Sequence, residues 1–293
     1  MMQGEIKEGR GGLYTVRDAQ GQEYVLRAKR RFRVDGMTPL PGDRVRFTPR
    51  PGEEHGWLEE ILPRSSLCLR PPVANIEMMV IVMAPKPIPD WLLVDKLLIM
   101  AGLQHIKPLL AVNKSDLDGG ACAEAARATY IATGMQVLSV SARTGQGLEA
   151  LRQAMKGFFC CLAGQSGVGK SALLSRLLGV ELVSGAISHR ISRGRQTTRH
   201  TTLLYENGLK VLDTPGFSLL DLPPDLEPEA LPGLYPEFAP YQAGCYFQPC
   251  LHNREPGCRV IDAEQAGELD PARMARYREL LQQVTTTWRN RYG

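Results

Sequence analysis

From Gly4 to about Leu69 the chain reads as short alternations of apolar and polar residues broken by glycine and proline: Gly11 to Val16, Glu23 to Leu26, Gly42 to Phe47 and Gly56 to Ile61. This texture predicts about five short strands closed into a small barrel. An OB-fold is the usual solution at this size, an SH3-like barrel the other. After Arg70-Pro71-Pro72 the pattern changes to continuous apolar runs, Met78 to Ala84, Leu109 to Val112, Gln136 to Val140 and Phe158 to Leu162. Helical segments separate them, at Trp91 to Leu103, Cys122 to Thr133 and Leu148 to Met155. Runs apolar on both faces and alternating with helices predict a mostly parallel sheet in an α/β domain. Beyond about Leu222 prolines crowd, and Asp270 followed by Pro271 predicts the start of a last helix. Met274, Tyr277, Leu280, Leu281, Val284 and Trp288 give that helix one apolar face. The expected division is a barrel over 1–69, an α/β domain over 70–221 and a helical module over 222–293.

Composition narrows the classes. The start carries no charged-then-apolar leader, and the longest apolar run is far short of the roughly 20 residues that span a membrane. A cytoplasmic protein without membrane association is expected. Seven cysteines, an odd number without an export signal, argue against a disulfide framework and leave metal binding open. The net charge of +4 does not by itself indicate nucleic acid, so the positions of the basic residues decide. Arg27, Lys29, Arg31 and Arg33 alternate, and on a continuing strand they share one face, with Arg30 and Phe32 on the other. Such a row suits a phosphate backbone, or it shields a strand edge. Arg190, Arg193, Arg195 and Arg199 form a second basic stretch. Arg273, Arg276, Arg278, Arg289 and Arg291 on the last helix add to the basic surface or are equally ordinary solvated helix positions.

Residues Gly164-Gln165-Ser166-Gly167-Val168-Gly169-Lys170-Ser171 match G-x-x-x-x-G-K-[ST] between a predicted strand and the helical run Ala172 to Leu178. In this motif backbone N–H groups cradle phosphates, Lys170 spans the β- and γ-phosphates, and Ser171 is placed for Mg²⁺. Asn113-Lys114-Ser115-Asp116 directly follows an apolar strand. Asp116 there accepts two hydrogen bonds from a guanine edge, Asn113 braces the loop and the Lys114 stem covers the base. Ser141 and Ala142, at another strand end, supply backbone contacts to the base oxygen. Asp213-Thr214-Pro215-Gly216 follows the strand Lys210 to Leu212. Asp213 is expected to reach Mg²⁺ through water, and Gly216 offers its N–H to the γ-phosphate. In Gly194-Arg195-Gln196-Thr197-Thr198-Arg199-His200 one threonine, Thr197 or Thr198, completes the metal shell. Phe217 stands where many GTPases place a glutamine that orients water, so Gln196 or His200, or a group from a partner, is the candidate for that role, and slow intrinsic hydrolysis is expected.

Cys245, Cys250, His252 and Cys258 form C-x4-C-x-H-x5-C, a closed tetrahedral set for one structural zinc. Cys122, Cys160 and Cys161 read as small core residues.

The order guanine tetrad, Ser-Ala, P-loop, paired threonines, Asp-x-x-Gly is a circular permutation of the usual GTPase order. With a barrel before it and Glu255-Pro256 ahead of Cys258 after it, nearly the whole chain resembles the RsgA (YjeQ) family of circularly permuted GTPases. The resemblance implies a GTP hydrolase acting in late maturation of the small ribosomal subunit, in contact with its rRNA and stimulated by it, working as a monomer with Mg²⁺ and GTP or GDP. The family shows histidine before the paired threonines where this chain has Gln196. In this order the Asp-x-x-Gly turn runs out into the C-terminal module, so the nucleotide state is expected to bear on that module. The competing class is an RNA-binding barrel and zinc module in which GTP is a structural or switch ligand.

Overall fold

The structure is a computed structural model describing residues 1–29, 32, 36–50, 52, 54–69, 72–180, 202–213 and 221–292. Strands β1 (Met2–Arg10), β2 (Leu13–Asp18), β3 (Glu23–Ala28), β4 (Arg44–Thr48) and β5 (Gly56–Ile61) close into a barrel in the order β1-β2-β3-β5-β4. Only β3 and β5 run parallel among its pairs, and β1 closes onto β4; this connectivity is that of an OB-fold. Alternation does the sorting: Val45 and Phe47 of β4 point into a core with Ile6, Val16, Leu26 and Leu58, while Arg44 and Arg46 face out.

Of the alternating cations, Arg27 and Lys29 fall among the described residues. Strand β3 ends at Ala28, Lys29 pairs with Glu59, and Phe32 is helical and buried in the barrel core. Arg30, Arg31 and Arg33 lie outside the described residues.

A short hairpin, β6 (Leu67–Leu69) with β7 (Pro72–Ala74), leads into a six-stranded sheet. Its strands are β8 (Met78–Met83), β9 (Lys107–Val112), β10 (Gln136–Ser139), β11 (Phe159–Ala163), β12 (Thr202–Glu206) and β13 (Leu209–Asp213), in the order β10-β9-β8-β11-β13-β12. All pairs are parallel except β12 with β13. The helices are α1 (Trp91–Leu103), α2 (Ala121–Tyr130), α3 (Leu148–Met155) and α4 (Lys170–Leu178). β8 is buried throughout because it faces helices on both sides. Met79, Ile81 and Met83 pack with α1 and α2, and Met78, Val80 and Val82 with α3 and α4. From β8 the chain steps outward to β9 and β10; from β11 it steps the other way to β13 and β12. The loops after β8 and β11 therefore diverge, opening a crevice at the carboxyl ends of the strands.

The C-terminal module contains α5 (Ala239–Gln242), α6 (Arg259–Gln265) and α7 (Pro271–Tyr292). Asp270 caps α7, its Oδ1 accepting from Arg273 N at 2.7 Å. Met274, Tyr277, Leu280, Leu281 and Val284 are buried with Leu231, Tyr235, Phe238 and Ile99 of α1. Arg273 and Arg276 are neither part of a free basic surface nor solvated, the two readings their sequence positions allowed. Arg273 Nη1 lies 2.5 Å from Asp95 Oδ1 and Arg276 Nε 2.6 Å from Asp95 Oδ2, Tyr130 Oη donates to Asp95 Oδ1 at 2.7 Å, and Arg273 also pairs with Glu237. Arg278 likewise pairs with Glu264. The buried carboxylate of α1 requires cations, and α7 supplies them. The module is thereby fixed to α1 and α2. Among the described residues no helix is long and apolar enough to cross a membrane.

Candidate functional site

The loop between β11 and α4 is shaped by glycine. Gly164 has φ +134°, and a Cβ there would lie 2.1 Å from Val82 O of the neighbouring strand. No other residue fits that approach. Gly167 and Gly169 also hold positive φ, at +81° and +94°, which turns successive N–H groups toward the inside of the loop. Lys170 starts α4 and reaches back, its Nζ donating to Gly164 O at 2.6 Å and Gln165 O at 2.8 Å. Burial lowers the pKa of this ammonium, a bias that an anion held in the loop offsets. Ser166 is exposed, Gln165 and Ser171 are half-buried, and Ala172 is exposed on the first turn of α4.

The second half of the site follows β9. Asn113 is 1% exposed and joins three loops: its Nδ2 donates to Val168 O at 2.9 Å, and its Oδ1 accepts from Ala142 N at 3.0 Å. Lys114 is left-handed, φ +61°, and its Nζ donates to Gly167 O at 2.7 Å and Lys86 O at 2.8 Å. Ser115 N donates to Val140 O at 3.1 Å, tying the tetrad to the loop after β10. Ser141 Oγ donates to Asp116 Oδ1 at 2.6 Å, and Arg143 Nε lies 3.2 Å from Asp116 Oδ2. The Ser141 hydroxyl, aided by Arg143 and working against burial, holds the Asp116 carboxyl below its ordinary value, so the group stays an acceptor. The structure thus brings Asn113 and Lys114 against Gly167 and Val168 across more than fifty positions of sequence, with Ser115, Asp116, Ser141 and Ala142 tied to one another and to Asn113 beside them.

Two participants escaped sequence reading. Arg176 of α4 donates from Nε to Ala142 O at 3.1 Å, bracing the Ser-Ala loop from below; in sequence it is one more polar helix position. Lys86 contributes only its backbone carbonyl, and Pro87 next to it lies 3.7 Å from the Cβ position of Gly167, so residue identity signals neither contact. Asp213 closes β13, directly opposite Thr202 of β12. Gln196, Thr197, Thr198, His200, Gly216 and Phe217 lie outside the described residues.

A second cluster sits in the C-terminal module. The ligand atoms of Cys245, Cys250, His252 and Cys258 lie within 4.8 Å of one another. Cys245 Sγ is 3.9 Å from Cys258 Sγ and 3.7 Å from His252 Nδ1, and that nitrogen is 3.2 Å from Cys258 Sγ. Sulfurs bound tetrahedrally to one ion at about 2.3 Å stand roughly 3.8 Å apart, so the set fits a single cation. Burial lowers the pKa of His252 and keeps its imidazole neutral; it also raises Cys258 and pushes Cys250 up to about 12. A cation reverses the thiol effect. Glu255 braces the knuckle, Oε1 accepting from Leu251 N at 3.1 Å and Oε2 from Asn253 N at 2.7 Å and Arg254 N at 3.0 Å. Cys160 and Cys161 are buried in the sheet, and Cys122 packs against its core.

Comparison with known proteins agrees with this architecture. A sequence profile described as RsgA GTPase matches residues 61–223, and one described as RsgA N-terminal domain matches residues 3–58. The small ribosomal subunit biogenesis GTPase RsgA of Ruminiclostridium cellulolyticum is 42% identical over 96% of this chain and 93% of its own length. Its namesake from Moorella thermoacetica is 39% identical over 97% of each chain. Among solved structures, YjeQ from Thermotoga maritima superposes with a TM-score of 0.84 at 30% identity, covering 97% of this chain and 98% of its own. YloQ, described as a circularly permuted GTPase, gives 0.81 at 30% identity over 98% and 96%. With a five-stranded barrel, a permuted P-loop sheet and a Cys3His module in one continuous match, the chain belongs to the RsgA family of GTPases.

Proposed function

We propose that the chain hydrolyses GTP during late maturation of the small ribosomal subunit, and that contact with the subunit and its rRNA stimulates the reaction. The observation that supports this reading is the end-to-end identity with relatives named for small-subunit biogenesis. In the reading, Asp116 accepts from the guanine edge, Asn113 and Ser141 set its loop, and the Lys114 stem flanks the base. The Ala142 N–H, now on Asn113 Oδ1, is shared with the base oxygen. Lys170 and the N–H groups of residues 164–172 hold the phosphates. Ser171, one of Thr197 and Thr198, and Asp213 through water hold Mg²⁺, which neutralises charge between the β- and γ-phosphates. Gly216 offers its N–H to the γ-phosphate. The attacking water is oriented by Gln196, His200 or a group from the subunit, because Phe217 has no polar atom for the task. The Cys3His set takes one structural zinc, its four protein ligands leaving no open position for chemistry. The protein works in the cytoplasm as a monomer.

Phosphate release under multiple turnover, with and without purified small subunits, tests this. Stimulation of about tenfold or more is expected, well within what a partner's contribution supplies in related hydrolases. Equal rates would leave GTP as a structural ligand of an RNA-binding module. Binding to the subunit should also weaken as salt rises, since phosphate contacts displace counterions.

A further inference from the structure

The barrel does not merely precede the GTPase domain; its first strand grips the β12–β13 hairpin. Glu5 accepts from the Tyr205 hydroxyl and pairs with Lys210. Glu8 Oε2 accepts from Thr202 Oγ1 at 3.3 Å. Arg17 of β2 lies over the Tyr205 ring, 4.3 Å from its centroid, and Lys210 lies at the same distance over Phe159. The Glu5 and Lys210 side chains are only 15% and 24% exposed, so this pair is better shielded than an ordinary surface pair. Register gives the contacts their meaning. Tyr205 stands directly opposite Lys210, and Thr202 directly opposite Asp213. Strand β1 therefore holds one cross-strand pair in the middle of the hairpin and a second pair that contains Asp213.

A regular strand would not do this. Side chains alternate, so residues three apart point to opposite faces. In β1 the register against β2 shifts between Ile6 and Glu8. That bulge inserts one residue and re-aims the strand, so Glu5 and Glu8 both reach the hairpin while Ile6 between them stays in the barrel core.

The hairpin joins the two sequence segments read above as γ-phosphate and Mg²⁺ elements. The chain reaches Thr202 four residues after Thr198, and it leaves β13 at Asp213 into Thr214-Pro215-Gly216. The C-terminal module is instead fixed to α1 and α2, on the opposite flank of the sheet from β12. We infer that Glu5 and Glu8 are positioning residues for GTP hydrolysis: by fixing the β12–β13 hairpin they set the placement of Asp213, the last residue of β13. A partner seated on the barrel then acts on kcat through this contact. The inference rests on reading Asp213 and Thr197 or Thr198 as Mg²⁺ ligands, and adds to it the barrel as part of the hydrolytic machinery.

The test uses the full chain without any partner. For the Glu5→Gln/Glu8→Gln double variant, kcat for GTP should fall about five- to tenfold, the scale on which displaced catalytic groups lose rate. KM for GTP and affinity for GDP should stay within about twofold, because Glu5 and Glu8 hold the β12–β13 hairpin rather than the loops read as binding the base and the phosphates. Glu5→Lys should be the slowest variant, and Glu5→Lys with Lys210→Glu should recover most of the rate by restoring the pair in reverse. A double variant within about twofold of wild type in kcat would overturn the inference. So would kcat and KM moving together with a lowered melting temperature and no rescue by the swap, since that is the mark of general damage. Asp213→Asn separates the two readings. Unchanged turnover in Asp213→Asn would sink the Mg²⁺ assignment, whereas a large loss there beside an unaffected Glu5/Glu8 variant would sink only the role of the barrel.

Discussion

Replacing Asn113 by alanine removes the side chain that joins the tetrad, the P-loop and the Ser-Ala loop. Two hydrogen bonds go, to Val168 O at 2.9 Å and from Ala142 N at 3.0 Å, at a residue 1% exposed. A buried backbone group left without its partner costs about 1–3 kcal/mol. Bound nucleotide leaves the Ala142 N–H its base oxygen, so Val168 O is the group stranded, and only while the loops keep the spacing that lets one ligand touch Asp116 and the P-loop together. In the free protein the loops relax and water reaches the two groups, so most of the penalty falls on the bound state. At about 1.4 kcal/mol per tenfold, roughly 1–3 kcal/mol weakens guanine-nucleotide binding some 5- to 150-fold. Asn113→Asp tests the sign of the donor: the bond from Ala142 N survives, but the Val168 carbonyl then faces an oxygen. Its loss should approach that of alanine. Titration of a fluorescent guanine nucleotide against each variant measures the dissociation constant, and thermal melting of the free proteins checks that they remain folded. Affinity within about fivefold of wild type in a folded Asn113→Ala protein would refute the bridging argument, because even one stranded group exceeds that.

Other consequences are equally direct. Asp95→Ala leaves Arg276 without its carboxylate and Arg273, 5% exposed, with Glu237 alone; a loss of about 3–5 kcal/mol is expected, or a fall in melting temperature of about 10 °C, and a fall under about 2 °C would contradict it. Ser141→Ala removes the main cause of the depressed Asp116 pKa. Guanine binding needs the carboxylate, so wild-type affinity persists to lower pH than an ordinary aspartate would allow and falls as pH drops through the depressed value, and in Ser141→Ala that loss moves to higher pH; superimposable profiles of affinity against pH would reject the hydrogen bond as the cause. Chelation should melt the module around α6, and rebinding of one ion per chain should release protons from the thiols, since Cys250 is pushed up to about 12 without a cation. Calorimetry in two buffers of different ionisation heat counts those protons, and none released would exclude thiolate ligation.

What could be read in the sequence is what contiguous residues do by themselves. The P-loop is legible because the cradle is made of successive backbone N–H groups, and glycines at 164, 167 and 169 are required by a single loop's own geometry. The Cys3His spacing is legible for the same reason, four ligands being gathered by one knuckle. The apolar runs of β8 and β11 announced a sheet buried on both faces. Strand β12 did not announce itself: it is short, at the sheet edge, and only Leu203 along it is fully buried, so it carries no run and little alternation.

Tertiary structure decided the partners that lie far apart in sequence. Helical spacing cannot distinguish a solvated arginine from one that neutralises a buried carboxylate, and Arg273 meets Asp95 from 178 positions away. Strand β3 ends at Ala28, a limit that the alternation running on from Arg27 does not mark. The bulge that turns Glu5 and Glu8 toward the hairpin is likewise invisible in the alternation of β1, since one inserted residue reverses every facing after it. Sequence alone therefore determined which chemistry the chain carries, because that chemistry is built from neighbours along the backbone. Only the fold decided how its three parts are joined, because those joints are single ion pairs and hydrogen bonds whose two halves have no spacing rule in common.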